Sequence, residues 1–522
     1  MPIHPGDDVP DGAVTRRRFV QLTSVAAAAV GLGAWVRPFD DLGAVGHPRL
    51  SLPAQVADAG ATVREFALVA SPLELDLGGT TVATWGYGDR VPGPVIRLAA
   101  GEVLRVRFDN KLPESSTVHW HGIALPNAMD GVPDVTQAAV ATNATFVYEF
   151  TVPDPGTYFL HSHVGVQLDR GLYAPLIVDD PADPGAYDAE WIVVLDDWTD
   201  GTGRSPDQVL ANLESMGNMG GAGEGHGSDM GGMHGSDSSG MGSMSMAGSS
   251  KLLRGDAGDV RYPYYLVNGR RPKSPETFSA KPGQRLRLRI INAGSDTAFR
   301  VAVGGHRLTV THTDGFPVTP TETDAVLLGM GERVDALVQL GDGAFPLVAA
   351  AEGKGAHALA VIRTGAGEAP GPKVHPKELD GRVLLPSTLA PSSDSAGVTV
   401  DPDRTHRLVL AGNHMRYRWT INGRTFENAK ALPVSTGERV RLVFDNRSTM
   451  FHPMHLHGHT FRVMSRRNGS LEAGANKDTV IVRPDERVTV DFDADNPGKW
   501  VVHCHNAYHQ AAGMMTTIAY QP

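Results

Sequence analysis

One ten-residue pattern occurs three times in this chain, and it limits the fold more than any other feature. Gly101-Glu102-Val103-Leu104-Arg105-Val106-Arg107-Phe108-Asp109-Asn110 returns as Gly437-Glu438-Arg439-Val440-Arg441-Leu442-Val443-Phe444-Asp445-Asn446. A looser copy is Gly283-Gln284-Arg285-Leu286-Arg287-Leu288-Arg289-Ile290-Ile291-Asn292. Each copy alternates apolar with charged residues, the period of a strand with one face on a core and one in water. The leading glycine or trailing asparagine marks a turn. Three copies in 522 residues, too many residues for one core, predict three units of one kind. The 60 glycines and 36 prolines fit short strands joined by many turns, so the expected class is all-β.

A second repeat separates the units by chemistry. Pro155-Gly156-Thr157-Tyr158-Phe159-Leu160-His161-Ser162-His163 aligns position for position with Pro497-Gly498-Lys499-Trp500-Val501-Val502-His503-Cys504-His505. The comparable stretch between them, Gly343 to Ala350, has no histidine. Three β-sandwich domains follow, over residues 46–180, 181–368 and 369–522, with chemistry in the first and third and the second as a spacer. The boundaries fall at turn-rich DDPADPG near Pro181 and at the linker GAGEAPGPK near Gly365. Ser215 to Ser250 fits none of them. It is nearly all Gly, Ser, Met, His and acid, and holds Met216, Met219, Met230, Met233, Met241, Met244 and Met246 out of 16 methionines in the chain. Such a composition cannot pack a core, so a disordered insertion in the second domain is expected.

Residues 1–45 read as an address and tether. Thr15-Arg16-Arg17-Arg18-Phe19-Val20-Gln21 carries a twin arginine, and Val25 to Val36 is an uncharged apolar run. The run fits a signal h-region and is short for a membrane span. It resembles a twin-arginine (Tat) signal read by the Tat export machinery. Export to the periplasm, the cell envelope or the medium is therefore expected. Cys504 is the only cysteine, so neither an internal disulfide nor an N-terminal lipoprotein anchor is expected. With 47 Lys+Arg against 58 Asp+Glu, the chain has no general electrostatic footprint for nucleic acid.

Histidines carry the functional signal. They cluster as His119-Trp120-His121-Gly122, His161-Ser162-His163, His452-Pro453-Met454-His455-Leu456-His457, and His503-Cys504-His505 with His509 and Met514. On a strand, residues i and i+2 share a face, so each His-x-His presents two imidazoles side by side. Cys504 lies between two histidines and points the opposite way. Two His, one Cys and a distant Met make a blue-copper electron-transfer set, here His452, Cys504, His509 and Met514. The other eight clustered histidines can hold three coppers. An electron arriving at Cys504 is one backbone link from His503 or His505, on a cluster suited to reducing dioxygen. A single His-x-His is commonplace, and a zinc site needs only three or four ligands. Four clusters at repeat-equivalent places, with the only cysteine inside one, argue against both readings.

The sequence resembles the multicopper oxidases, the family of laccases, bilirubin oxidases and bacterial cuprous oxidases, and is most like exported actinobacterial members linked to copper resistance. The likeness runs from about Ala61 to the C-terminus and includes Leu195-Asp196-Asp197-Trp198-Thr199-Asp200-Gly201 and YPYYLVNGR. It implies three consecutive cupredoxin-like Greek-key domains and four copper ions. By resemblance, His452, Cys504, His509 and axial Met514 are type 1 ligands, and His119 and His455 are type 2 ligands. His121, His161 and His505 hold one type 3 copper; His163, His457 and His503 hold the other. Asp130 matches an acid that the family uses in proton delivery. Gln510 stands where many bacterial relatives have a glutamate. Methionine at 514, rather than Leu or Phe, implies a lower-potential type 1 site. The expected oxidant is dioxygen. The expected reductant is Cu(I), because thioethers favour the cuprous ion, with phenols and aromatic amines as further substrates. A laccase with purely organic reductants and a non-catalytic copper store are the alternatives.

Overall fold

A computed structural model describes residues 60–183, 185–219, 248–392, 401–413, 416–467 and 470–521. The twin-arginine segment and most of the methionine-rich stretch, residues 220–247, lie outside the described residues. Six sheets of four to six strands pair into three β-sandwiches, the cupredoxin-like arrangement. Among the described residues, no helix is long and apolar enough to cross a membrane.

The three copies of the first repeat occupy one topological place. Val103–Asn110 runs parallel to Val63–Asp76 on one side and antiparallel to Thr145–Thr151 on the other. Arg285–Asn292 has the same two relations with Ala189–Trp198 and Arg333–Gln339. So does Arg439–Asn446, with Arg404–Asn413 and Arg487–Asp493. Their apolar faces build the cores: Leu104, Val106 and Phe108 in the first sandwich, Leu286, Leu288 and Ile290 in the second, Val440, Leu442 and Phe444 in the third. The closing asparagine is structural in each. Asn110, Asn292 and Asn446 are buried, and each side-chain amide donates to two backbone carbonyls across the sheet ends.

The expectation of one wet face fails most fully in the middle copy, although Arg439 and Asp445 of the third are buried too. Arg287 and Arg289 are buried, and both reach Asp335, while Arg289 also reaches Thr157 of the first domain. The charged face of this strand packs against another domain, so its charges are paired instead of solvated. Trp120, Tyr148 and Phe150 centre the first core. A larger continuous core joins the second and third domains and includes Trp419, Cys504 and Met514.

Candidate metal centre

The histidine motifs sit on two matching strand pairs. His119–His121 runs antiparallel to Gly156–His161 with His119 opposite His161. His452–Leu456 runs antiparallel to Lys499–Cys504, with His455 opposite His503 and Met454 opposite Cys504. The end domains turn these faces together. The His119 and His457 rings stack at 3.7 Å, as do those of His121 and His455. All eight of these histidines are buried.

Their hydrogen bonds decide which nitrogen is left for a ligand. His119 Nδ1 lies 2.9 Å from the Asp130 carbonyl, His161 Nδ1 2.9 Å from the Ser162 carbonyl, and His455 Nδ1 2.8 Å from the Asp478 carbonyl. A carbonyl only accepts, so these Nδ1 atoms donate and the Nε2 atoms keep lone pairs. His121 is reversed: its Nε2 donates to Asp478 Oδ1 at 3.0 Å and leaves Nδ1 free. The buried lone-pair atoms, His119 Nε2, His121 Nδ1, His161 Nε2, His163 Nε2 and His455 Nε2, have no protein partner, and neither ring nitrogen of His505 has one. Each orphan of this kind costs about 1–3 kcal/mol if nothing satisfies it. His457 donates from Nδ1 to the Asp130 carboxylate at 3.0 Å, and His503 from Nδ1 to the Cys504 carbonyl at 3.0 Å. Their Nε2 lone pairs then face each other at 3.0 Å, an arrangement that a shared cation satisfies. Burial, then the neighbouring imidazoles, hold His163, His457 and His505 well below the ordinary histidine range. The rings are therefore neutral and suited to metal. Ligand atoms converge within 4.8 Å in the sets His121, His161, His505; His163, His457, His503; and His119, His121, His455.

A separate set lies on the far face of strand Lys499–Cys504. Cys504 Sγ is 3.6 Å from Nδ1 of both His452 and His509, and the two Nδ1 atoms are 3.1 Å apart. Outer partners again fix the tautomers. His509 Nε2 donates to Asp259 Oδ2 at 2.9 Å, and His452 Nε2 lies 2.7 Å from Ser448 Oγ, whose own hydrogen faces carbonyl oxygens. Both Nδ1 lone pairs thus point at the sulfur. Burial pushes the Cys504 thiol well up, so the thiolate forms only with a cation beside it. Met514 is buried here; its carbonyl accepts from Cys504 N–H at 3.0 Å and its N–H donates to the His509 carbonyl at 2.9 Å. Trp419 stacks on His509 at 3.9 Å. His459 stands outside both sets, with Nδ1 on the His457 carbonyl and Nε2 on the Tyr520 hydroxyl.

Asp130 has its carboxylate 3.2 Å from His119 Nδ1 and 3.0 Å from His457 Nδ1. Sequence reasoning missed Asp259, Ser448 and Asp478. Asp259 precedes His509 by 250 residues, whereas Ser448 lies only four residues before its partner His452. The middle domain is also more than a spacer. Asp296 accepts from the backbone N–H of Asp259 and Val260, from Asn506 Nδ2, and from Lys354 Nζ at 2.6 Å. Asn506 in turn caps the short helix Ala507–Ala511 that carries His509.

Three family models, each described as multicopper oxidase, match residues 73–183, 190–367 and 399–522. The chain is 50% identical over 461 residues to multicopper oxidase MmcO of Mycobacterium tuberculosis, covering 87% of this chain and 86% of that one. It is 28% identical to a copper resistance protein A homolog of Pseudomonas syringae pv. tomato, covering 97% and 98%. A solved multi-copper oxidase from Pseudomonas thermotolerans superposes with TM-score 0.64 at 27% identity, covering 88% of this chain and 100% of that one.

Proposed function

Because this chain belongs to the multicopper oxidase family, we propose that its Cys504 site takes single electrons from a reductant and its eight-histidine site delivers them to dioxygen, giving water. The protein is an oxidoreductase whose cofactors are type 1, type 2 and type 3 copper. His452, Cys504, His509 and Met514 would hold type 1 copper, and His119 and His455 type 2. His121, His161 and His505 would hold one type 3 copper; His163, His457 and His503 the other. One observation carries the assignment: ring nitrogens of His119, His121, His161, His163, His455 and His505 are buried without protein partners, and they belong to groups of three whose donor atoms lie within 4.8 Å of one another. Copper, which favours imidazole and thiolate donors, would supply the one-electron redox steps.

The chain's own groups do the rest. Cys504 is joined by one peptide link to each of His503 and His505, the shortest covalent route between the two sites. Asp130 holds a carboxylate against His119 and His457, where a proton can be kept next to the cluster. Asp259 and Ser448 keep the rings of His509 and His452 facing the sulfur.

For the reductant we place Cu(I) first, with phenol and aromatic amine oxidation as wider activity. Seven soft thioethers between Ser215 and Ser250 support this. So does the return point of that stretch: Asp256 bridges to Met450, two residues before His452. Copper resistance proteins are among the relatives. Deleting 215–250 is expected to lower Cu(I) turnover more than phenol turnover; equal losses remove the role. Export by the Tat machinery to the periplasm, envelope or medium is tested by changing Arg16→Lys and Arg17→Lys together, which should strand the protein in the cytoplasm. The central experiment is a copper count with a visible spectrum. Full loading with intense blue colour and oxygen consumption is expected. A loaded, colourless wild type contradicts the thiolate assignment, and absence of oxygen uptake leaves only a copper store.

A further inference from the structure

We propose that Arg333, supplied by the middle domain, is a positioning residue for the eight-histidine site, acting through Asp478 on His121 and His455. The proposal rests on the reading of those two histidines as copper ligands. Arg333 is wholly buried where three domains meet. Its Nη1 and Nη2 donate to the two carboxylate oxygens of Asp478 at 2.7 and 2.6 Å. Its Nε donates to the Thr157 carbonyl of the first domain at 3.1 Å, and Nη1 also donates to the Gly331 carbonyl at 3.0 Å. A two-pronged guanidinium–carboxylate pair sets both the position and the plane of the carboxylate.

That orientation has a specific consequence. Asp478 Oδ1 accepts from His121 Nε2, and the Asp478 carbonyl accepts from His455 Nδ1. The two rings are thus held in opposite tautomers, so that His121 offers Nδ1 and His455 offers Nε2. Thr479 completes the brace: its hydroxyl donates to Asp478 Oδ1 and lies 3.0 Å from His121 Nε2 and 3.1 Å from His455 Nδ1. A turned carboxylate would release His121 to the other tautomer, and its lone pair would point away from the cluster. Two glycines mark how tightly the brace is fitted. A Cβ on Gly122, the residue after the first His-x-His, would lie 2.5 Å from both Arg333 Nη2 and Asp478 Oδ2. A Cβ on Gly331 would lie 2.9 Å from His121 Cε1 and from His505 Cδ2. The glycine of His-Trp-His-Gly therefore makes room for an ion pair from the other two domains.

The test uses the full chain with Arg333→Met and Arg333→Lys. Lysine keeps the charge but cannot present two parallel N–H groups. Both variants should stay blue, since Arg333 touches no residue of the Cys504 site. Both should bind copper at the eight-histidine site about 10–100-fold more weakly, read as a lower copper count at limiting copper with the blue site still filled, the usual effect of removing such a hydrogen-bond partner. In copper-free protein, ring-nitrogen chemical shifts should report His121 protonated at Nε2 in the wild type and mixed tautomers in Arg333→Lys. If Arg333→Lys fills the eight-histidine site at limiting copper like the wild type, the proposal is overturned. If it loses blue colour as well, or fails to fold, Arg333 is a general strut and the proposal is again overturned. A wild type lacking both blue colour and type 2 signal sinks the underlying assignment instead.

Discussion

The two sites differ in where their parts come from. The His452, Cys504, His509 and Met514 set lies within one domain, on one strand pair, the short helix that follows it and the turn after that helix. The eight-histidine set takes four rings from the first domain and four from the third, and its outer braces come from all three. All four residues of the first site come from the third sandwich, with Asp259 of the middle domain fixing the His509 ring. The second exists only after the chain has closed on itself. The electron-entry ligands are therefore gathered by one domain, and the oxygen-site ligands only by the assembly. In both, the outer hydrogen bonds choose the tautomer, a role that ligand lists alone leave out.

Cys504→Ser gives the largest expected effect and the sharpest cut between the sites. Blue colour and turnover should vanish while the eight-histidine site still loads, so the copper count should fall by one. Loss of all copper would show that the sites do not form separately. Lys354→Met comes next. It leaves Asp296 buried without its cation, which costs about 3–5 kcal/mol, read as a lower denaturant midpoint. Because Asp296 braces Asp259 and Asn506, the blue band should shift before the type 2 signal does. The reverse order would break the comparison. Asp130→Asn should lower turnover about 10–100-fold with colour unchanged, because Asp130 touches only His119 and His457 of the eight-histidine set. The smallest effect is on acid stability. Arg407, Arg447 and Arg487 outweigh burial and hold the Asp445 carboxyl at about 2, below its ordinary 3.8. The folded value is the lower one, so the contribution is complete above about pH 4 and fades as pH falls toward 2. Asp445→Asn should flatten that acid limb by no more than about 1 kcal/mol in urea titrations.

Much of the fold was legible because strands write their period into sequence. The alternation in residues 103–110 and 439–446 gave the right buried faces, and the His-x-His spacing gave paired rings on one face. The same reasoning misjudged Arg287, Arg289, Arg439 and Asp445, which are buried, since period reports which residues share a face and not what covers that face. Asp130 was singled out through the resemblance to the multicopper oxidases. Asp259, Asp478 and Arg333 were invisible: their partners lie 250, 357 and 145 residues away in the chain, and a lone Asp or Arg carries no pattern.

By itself, the sequence determined the three sandwiches, the donor types and the opposite aim of Cys504 and its flanking histidines, because these follow from bonding and strand pleat. Only the tertiary structure decided which lone pairs meet and which ring nitrogen each histidine offers. That choice depends on carboxylates, carbonyls and one buried guanidinium brought together from distant parts of the chain, and hydrogen-bond partners of that kind are set by packing in space.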